Sequence, residues 1–373
     1  MTQRSQLIDA RRVVVKVGSA VLAPNGTLDE TAIDRLTADI TAARSRGVSV
    51  VLVSSGAVAA GFRTLGMTAM PRTIRDKQAA AAVGQPALVQ RYAARFAARG
   101  TAVAQVLLTG DVLDHRSRFL NASHTLNTLI ERGVVPIVNE NDSVTHDEIK
   151  LGDNDRLSAL VAGLVNADTL VILSSVDGLY QAGDPSRPVG SCADTAAARA
   201  HVTGEASSTG TGGFATKLDA VDIARAHAVP TVITRGPTDA NTAPLTSVLA
   251  GDAVGTHFPL PAGDAARSAR KNWIAHGAGA RGTIAVDAGA ARALAERGAS
   301  LLPKGITRVA GAFDAGAVVE ITDESGASIA RGLTNYSSAE LVRIAGKRSD
   351  EIEPTLGYTY ADEAIHRDDL VIN

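Results

Sequence analysis

The sequence predicts an α/β protein in which a parallel sheet flanked by helices is followed by a small, mostly β domain. From Val13 to about Leu249, short β-branched runs alternate with longer helical patterns. The apolar runs are nearly continuous, as in strands covered on both faces. A segment rich in Pro, Gly and small residues then begins at Thr256 and separates this region from a hairpin-like pattern.

Six apolar runs are predicted to be the strands of the sheet: Val13–Val17, Val48–Val53, Thr101–Leu107, Val134–Asn139, Thr169–Leu173 and Thr231–Thr234. Between the first two, apolar residues recur at helical spacing from Ile33 to Ala43, and Gly47 is placed to end that helix. A second, Ala-rich helix is predicted from Arg75 to Arg99. Ligands of such sheets usually lie beyond the carboxyl ends of the strands, so polar residues there are the first candidates for a site.

The predicted domains are residues 1–258, a linker at 259–270, and residues 271–373. The C-terminal domain carries a short helix near Asp287 to Arg297 and a turn signal at Asp323 to Gly326 between two alternating runs.

Composition narrows the class of protein. The formal net charge of the 373 residues is −2, which gives no general attraction to nucleic acid or to an anionic membrane. The single cysteine, Cys192, cannot form an internal disulfide, and we expect a cytoplasmic location. No segment resembles a signal peptide or approaches the roughly 20 apolar residues of a membrane span, so no membrane partner is expected.

Two lysines and a glycine-rich segment indicate an anion site. Lys16 interrupts the apolar run VVVKVGS, where an unpaired ammonium is costly to bury. In SSTGTGGFATKLDA, glycines and small hydroxyl residues precede Lys217 and a predicted helix, whose free N–H groups favour anions. Thr216 stands where the common phosphate loop requires glycine, so this is not a Walker-type loop.

Acidic and amide side chains follow the fourth predicted strand. They are Asp142 in VNENDSV and Asn154 and Asp155 in KLGDNDRLSAL. Helix capping explains one residue of the second group, and does not explain the whole set. Cations, a glycine loop and convergent acids together are typical of a phosphoryl-transfer site.

Six blocks, in this order, resemble the glutamate 5-kinases of the amino-acid kinase superfamily: VVVKVGSAVL, VLVSSGAVAAG, IVNENDSV, LGDNDRLSALVA, ILSSVDGLY and GTGGFATKLDAV. The C-terminal region, with LLPKGI, ARGLTNYSS and DEAIHRDDLVIN, is similar to the PUA domain of many bacterial members. The resemblance implies an αβα sandwich with a PUA domain, and phosphorylation of the γ-carboxylate of L-glutamate by ATP to L-glutamyl 5-phosphate, the first step of proline biosynthesis. It further implies Mg²⁺ held through the nucleotide phosphates with no metal ligand assigned in the chain, feedback inhibition by proline, and a homo-oligomer, either dimer or tetramer.

The resemblance also implies roles for single residues. Lys16 and Lys217 would be the catalytic, phosphate-binding lysines, and Asp155 would orient them. The substrate-binding positions fall on Ser55, Gly56, Ala57, Asp142 and Asn154. The ATP-binding positions fall on Lys16, Ser174, Ser175, Thr211, Gly212, Gly213, Phe214, Ala215, Thr216 and Lys217. One departure is visible, because Ser175 stands where the resemblance leads to an aspartate.

Two alternatives stay open at this point. Another superfamily member would phosphorylate N-acetylglutamate, aspartate, carbamate or UMP, but Asp142 after NEN and the PUA domain argue for free glutamate. An RNA-binding protein would use its PUA domain and keep the kinase-like domain as a scaffold. From Lys271 onward, 11 Lys plus Arg stand against 14 Asp plus Glu, which is the wrong sign for a phosphate-backbone binder.

Overall fold

The structure, a computed structural model, describes residues 4–109, 116–144, 154–202, 213–239, 241–260 and 280–372. The chain divides into two compact units, a larger one built on a seven-stranded sheet and a smaller one built on a five-stranded sheet. Thr211, Gly212 and the predicted linker beyond residue 260 lie outside the described residues, and the exact domain boundaries stay predictions.

The large sheet contains β1 (Arg12–Val17), β2 (Ser49–Ser54), β3 (Val103–Leu108), β4 (Val135–Glu140), β5 (Thr169–Ser174), β6 (Thr231–Arg235) and β7 (Thr256–Phe258). Its order is β3-β4-β2-β1-β5-β6-β7. The six predicted strands pair in parallel, within one or two residues of the expected bounds. The seventh is not predicted by the sequence, because its three residues directly precede a Pro- and Gly-rich stretch and are too few for a strand pattern. It pairs antiparallel with β6 at the edge of the sheet.

Helices cover both faces of this sheet and make it an αβα sandwich. They are α1 (Ser5–Ile8), α2 (Ser19–Leu22), α3 (Glu30–Ser45), α4 (Ala57–Gly61), α5 (Ile74–Ala97), α6 (Arg116–Glu131), α7 (Asn154–Leu164), α8 (Thr195–Arg199), α9 (Phe214–Ala226) and α10 (Pro244–Leu249). Every residue of β5, and every residue of β1 after the first, is buried, which explains why the strand runs are apolar without alternation.

The connections fix where a ligand can bind. From β1 the chain moves to β2 and β4 on one side of the sheet, and it later places β5 and β6 on the other side of β1. The carboxyl ends of β1 and β5 therefore lie at the point where the strand order reverses, which is the usual ligand crevice of open α/β sheets.

A backbone contact without side chains joins α4 to α5. A Cβ atom added to Gly61 would lie 2.0 Å from the carbonyl oxygen of Ala80, and one added to Gly84 would lie 1.9 Å from that of Ala57. Both glycines are buried. The two helices can approach this closely only because neither position carries a side chain.

The smaller unit is built on β8 (Thr283–Val286), β9 (Ile306–Ala310), β10 (Val318–Thr322), β11 (Ser328–Leu333) and β12 (Leu370–Ile372), in the order β12-β11-β10-β8-β9. Its helices are α11 (Ala288–Arg297), α12 (Ser338–Ile344) and α13 (Ile352–Leu356). The predicted hairpin is β10 and β11, and the Asp323 carboxylate accepts backbone hydrogen bonds from Ser325 and Ala327 in its turn. The prediction of a small, mostly β second domain is confirmed.

None of the described helices is both long enough and apolar enough to cross a membrane.

Candidate active site

Lys16 is the penultimate residue of β1 and is 6% exposed. Its backbone lies between Val53 of β2 and Ile172 of β5, so apolar strands flank it on both sides. An ammonium in such a place needs a close anion. The sequence prediction of an anionic partner for Lys16 is confirmed by Asp155, whose Oδ1 atom lies 2.5 Å from Lys16 Nζ.

Asp155 lies in the first turn of α7 and contacts both predicted lysines. Lys217 Nζ, from α9, lies 3.1 Å from its Oδ2 atom. The side chains of all three residues are at most one-tenth exposed. The Thr216 hydroxyl lies 3.0 Å from the same Oδ2 atom and 2.9 Å from the carbonyl oxygen of Gly213. Residues more than 60 positions apart thus meet at one carboxylate.

The electrostatics of this cluster keep Asp155 ionised. Burial by itself would raise the pKa of Asp155, but the charges and hydrogen bonds of Lys16 and Lys217 outweigh burial and lower the pKa to about 2. Among the described side chains of this cluster, one carboxylate faces two ammonium groups, so these three groups together carry a net positive charge. Such a charge favours the binding of an anion.

The predicted glycine loop is described only from Gly213 onward. Gly213 is the extended residue before α9, and Phe214, Ala215, Thr216 and Lys217 form the first turn of that 13-residue helix. The free N–H groups and the positive dipole end of α9 therefore lie beside the two lysines, which favours a bound phosphate there.

The residues after β2 form a second part of the site. Gly56 has a φ of 106°, in the left-handed region that favours glycine, and Ala57 begins α4. The Asn154 amide nitrogen Nδ2 donates to Ser55 Oγ at 2.9 Å. Its carbonyl oxygen Oδ1 is buried and has no hydrogen-bond partner among the described residues. Asn154 directly precedes Asp155 at the start of α7.

Asp142 follows β4 and is partly buried. Burial, with a further contribution from the charge of Glu140, raises the pKa of Asp142 to about 6. Within the part of the chain that the structure describes, no cation pairs with Asp142. Such a carboxylate is suited to a cationic group brought by a ligand.

Ser174 and Ser175 lie at the carboxyl end of β5. Ser174 is buried, and its carbonyl oxygen accepts from Gly236 N at 2.8 Å, whereas Ser175 is exposed. The next carboxylate along the chain, Asp177, forms a two-point ion pair with Arg235, with N–O distances of 2.6 and 3.1 Å. Because Asp177 is paired with Arg235, it does not replace the carboxylate that the family resemblance predicts at position 175.

Sequence reasoning missed a set of buried polar residues beside Ser55 and Asn154, two of the predicted substrate-binding residues. The buried Tyr92 hydroxyl lies 2.9 Å from Ser54 Oγ, and the buried amides of Asn139 and Gln85 are hydrogen-bonded to each other. Asn139 lies in VNENDSV near the end of a strand, a position that marks it as a candidate site residue. Gln85 and Tyr92 lie within a long helix, and nothing in their sequence context indicates a role in the site.

Comparisons with known proteins agree with this architecture. The model of the amino acid kinase family matches residues 11–235, and that of the PUA domain matches residues 282–356. Glutamate 5-kinase of Myxococcus xanthus (strain DK1622) is 49% identical over 100% of this chain and 98% of its own length. Glutamate 5-kinase of Geobacter sulfurreducens is 48% identical over 98% of both chains. The solved UMP kinase of Bacillus anthracis is 15% identical, with a TM-score of 0.45 over 67% of this chain and 96% of its own. The chain therefore belongs to the amino acid kinase family, and within it to the glutamate 5-kinases.

Proposed function

We propose that this chain transfers the γ-phosphoryl group of ATP to the γ-carboxylate of L-glutamate and so forms L-glutamyl 5-phosphate, the first step of proline biosynthesis. The observation that carries the proposal is the buried cluster in which Asp155 holds Lys16 and Lys217 at 2.5 and 3.1 Å, beside the N-terminus of α9. The names of the relatives supply the substrate, and the geometry supports the reaction class.

The chemistry needs charge rather than a base. A γ-carboxylate has a reference pKa of about 4.3, so the nucleophile is already ionised at neutral pH. The barrier lies in bringing this anion to a triphosphate and in stabilising the charge on the transferring group. Lys16 and Lys217 supply two preorganised cations for that purpose.

Asp155 acts as the positioning residue of the two lysines. Each carboxylate oxygen contacts one ammonium group, so both cations are fixed in direction before any ligand binds. Its lowered pKa keeps the carboxylate charged through the whole neutral range. Preorganised charges of this kind need no rearrangement during phosphoryl transfer.

Ser55, Gly56, Ala57, Asn154 and Asp142 would bind glutamate. The α-ammonium group would pair with the Asp142 carboxylate and donate to Asn154 Oδ1, which is buried without a partner among the described residues. Gly56 has no side chain and Ala57 has a small one, so the substrate's carbon chain would be able to lie close to the backbone at these two residues.

ATP would lie along Ser174, Ser175 and the segment from Thr211 to Lys217. When bound, Mg²⁺ would offset the charge of the β- and γ-phosphates. Both Asp155 oxygens contact lysines, so that carboxylate is not free to hold a cation, and no group of three or more metal-ligating side chains occurs among the described residues. Mg²⁺ held by the phosphates alone fits this donor set.

Three further predictions belong to the same proposal. Proline shares with glutamate an α-carboxylate and a charged α-nitrogen, so it would inhibit by competing for Asp142 and Asn154. A homo-oligomer, dimer or tetramer, and a cytoplasmic location complete the proposal, the latter supported by the single cysteine Cys192.

The reaction is tested by measuring ADP release with MgATP in the presence and absence of L-glutamate, and by trapping the acyl phosphate with hydroxylamine. We expect ADP and hydroxamate to form together, and only when glutamate and Mg²⁺ are both present. Equal ADP release without glutamate, or ADP without hydroxamate, would contradict the proposal.

A further inference from the structure

A hydrogen-bonded chain of three buried side-chain amides begins at Asn154, one of the proposed glutamate-binding residues. Asn154 Nδ2 lies 3.1 Å from Asn139 Oδ1, and Asn139 Nδ2 lies 2.8 Å from Gln85 Oε1. The three residues are 7%, 2% and 8% exposed, respectively. They come from the start of α7, the end of β4 and the middle of α5. Three distant segments thus share one continuous polar network.

The direction of every amide in this chain is fixed by one backbone group. The N–H group of Glu140 donates to Asn139 Oδ1 at 2.9 Å, and a backbone N–H can only donate. Asn139 must therefore present its oxygen to Glu140 and Asn154, and its NH₂ group to Gln85. It follows that Gln85 must offer its oxygen, and that Asn154 must offer its NH₂ group.

Each end of this amide chain keeps one polar group that, in this orientation, has no hydrogen-bond partner among the described residues. Asn154 Oδ1 at one end and Gln85 Nε2 at the other are buried without a hydrogen-bond partner in the part of the chain that is described. Asn154 is held on its donor side by Ser55 Oγ as well as by Asn139. Its acceptor is the group that remains for a ligand.

We infer that Gln85 is a positioning residue which, through Asn139, keeps the Asn154 carbonyl oxygen directed at the α-ammonium group of the substrate. This inference rests on the proposed function. Gln85 is not placed in contact with the substrate, and its action is to accept the hydrogen bond that holds the amide plane of Asn139.

The physical reason is the symmetry of an amide. A carboxamide turned by 180° keeps its shape but exchanges a carbonyl acceptor for an NH₂ donor. With the reversed orientation, Asn154 would present a donor to an ammonium group, which itself only donates. Without Gln85, the NH₂ group of Asn139 would be buried without an acceptor, and the amide plane of Asn139 would be held on one side only, so that it would hold Asn154 less firmly.

Gln85 is itself held by the backbone contact between α4 and α5. Gly84 precedes it directly, and a Cβ atom at that position would lie 2.6 Å from Gly61 N. Because α4 begins just after Ser55 and Gly56, the same contact ties Gln85 to the loop that carries the substrate-binding residues. The amide chain and this loop are therefore positioned by one rigid contact.

The test compares three variants of the full chain. Gln85→Met removes the acceptor at nearly constant length. Gln85→Glu keeps an acceptor opposite Asn139 and exchanges the unused NH₂ group for a second carboxyl oxygen. Gln90→Met makes the same change as the first variant at an exposed position of the same helix and serves as the control. For each we would measure kcat, the KM values for glutamate and ATP, Tm, and the inhibition constant of glutarate, which has a γ-carboxylate but no α-ammonium group.

We expect Gln85→Met to raise the KM for glutamate by about tenfold or more, the scale of one lost or misdirected hydrogen bond. The KM for ATP and the inhibition constant of glutarate should stay within about twofold, because neither ligand uses the acceptor of Asn154. Gln85→Glu should stay within about threefold of the wild type in all constants, and Gln90→Met should match it.

Three results would overturn the inference. One is a folded Gln85→Met protein with an unchanged KM for glutamate, and another is a rise in all constants together, which would indicate general distortion. If Gln85→Met does not fold, Gln85→Glu decides, and a rise of about tenfold in its KM for glutamate counts against the inference. A wild-type protein that shows no glutamate-dependent ADP release would instead refute the proposed function.

Discussion

Replacing Asp142 by asparagine should make the protein more stable and a poorer glutamate kinase at the same time. Burial and the charge of Glu140 raise the pKa of Asp142 from 3.8 to about 6, so the folded protein disfavours the ionised form. Asparagine resembles the protonated carboxyl in shape and has no charge. The variant therefore removes an unfavourable charge that no cation among the described residues compensates.

The size and sign of the stability change follow from linkage. Each pKa unit corresponds to about 1.36 kcal/mol, and two units give an upper bound of about 3 kcal/mol. Since Asp142 is partly exposed, solvent screening should reduce this to about 1–2 kcal/mol. Because the folded pKa is raised, the gain of Asp142→Asn is complete above pH 6, shrinks as pH falls towards 3.8, and is absent below it.

Activity should change in the opposite direction. In the wild type, the KM for glutamate should rise as pH falls below about 6, where Asp142 takes up a proton, and Asp142→Asn should lack this dependence. N-acetylglutamate has no α-ammonium group, so we expect the wild type to use it at least about 10³-fold less efficiently than glutamate. Asp142→Asn should narrow this gap, mainly by weakening the use of glutamate.

The assays are chemical denaturation between pH 3 and 8, and kcat/KM for both substrates across the same variants. Asp252→Asn is the control, since it removes one negative charge at an exposed position of the same unit. An Asp142→Asn protein that is less stable at pH 7.5 and keeps its substrate preference would refute the reasoning. Asp142 would then act by holding its loop in place.

Three other predictions concern the lysine cluster and the domains. Lys16→Ala and Lys217→Ala should each lower kcat by about 10²-fold or more, with Tm as the control, and near-native turnover of either would make that lysine structural. Asp155→Asn removes the carboxylate that both buried ammonium groups contact, and we expect the free energy of unfolding at pH 7.5, measured by urea denaturation, to fall by about 3–5 kcal/mol. Because the folded pKa of Asp155 is lowered to about 2, its contribution should be present above pH 4 and be lost as pH falls towards 2, and a pH-independent difference would contradict this. A chain ending near Pro261 should fold and retain phosphoryl transfer, and its failure to fold, seen by circular dichroism, would mean that the two domains share a core.

Six of the seven strands of the large sheet, and the residues of the lysine–aspartate cluster, could be predicted from the sequence. A lysine inside the apolar run of β1 requires a nearby anion. Asp155 and Lys217 each stand in the first turn of a helix, and in the structure Asp155 contacts both lysines. The short strands were harder to predict. β7 has only three residues beside a Pro- and Gly-rich segment, and β12 has three near the C-terminus, too few for a periodic signal.

The buried polar residues Gln85 and Tyr92 could not be predicted from the pattern of α5. Gln85 and Gln90 lie on the same helix, yet one is buried in a polar network and the other is exposed. Helical periodicity assigns faces by hydrophobicity, so a buried glutamine reads as a surface residue. The burial of Gln85 goes with its hydrogen bond to Asn139, a contact between segments 54 residues apart that helical periodicity does not show.

The backbone contact between Gly61 and Gly84 also affects how this protein could be engineered for heat resistance. Replacing a helical glycine by alanine is a common stabilising change, worth about 0.4–1 kcal/mol through the unfolded chain where the new methyl group fits. Here the methyl group of Gly84→Ala would meet a main-chain carbonyl oxygen at 1.9 Å, and the three nearest atoms all belong to the backbone, so no side chain could relieve the clash by moving aside. A design rule based on helix propensity alone would select Gly84 early, and the resulting protein would have the start of α4 displaced, together with the adjoining loop at Ser55 and Gly56 that we propose binds glutamate.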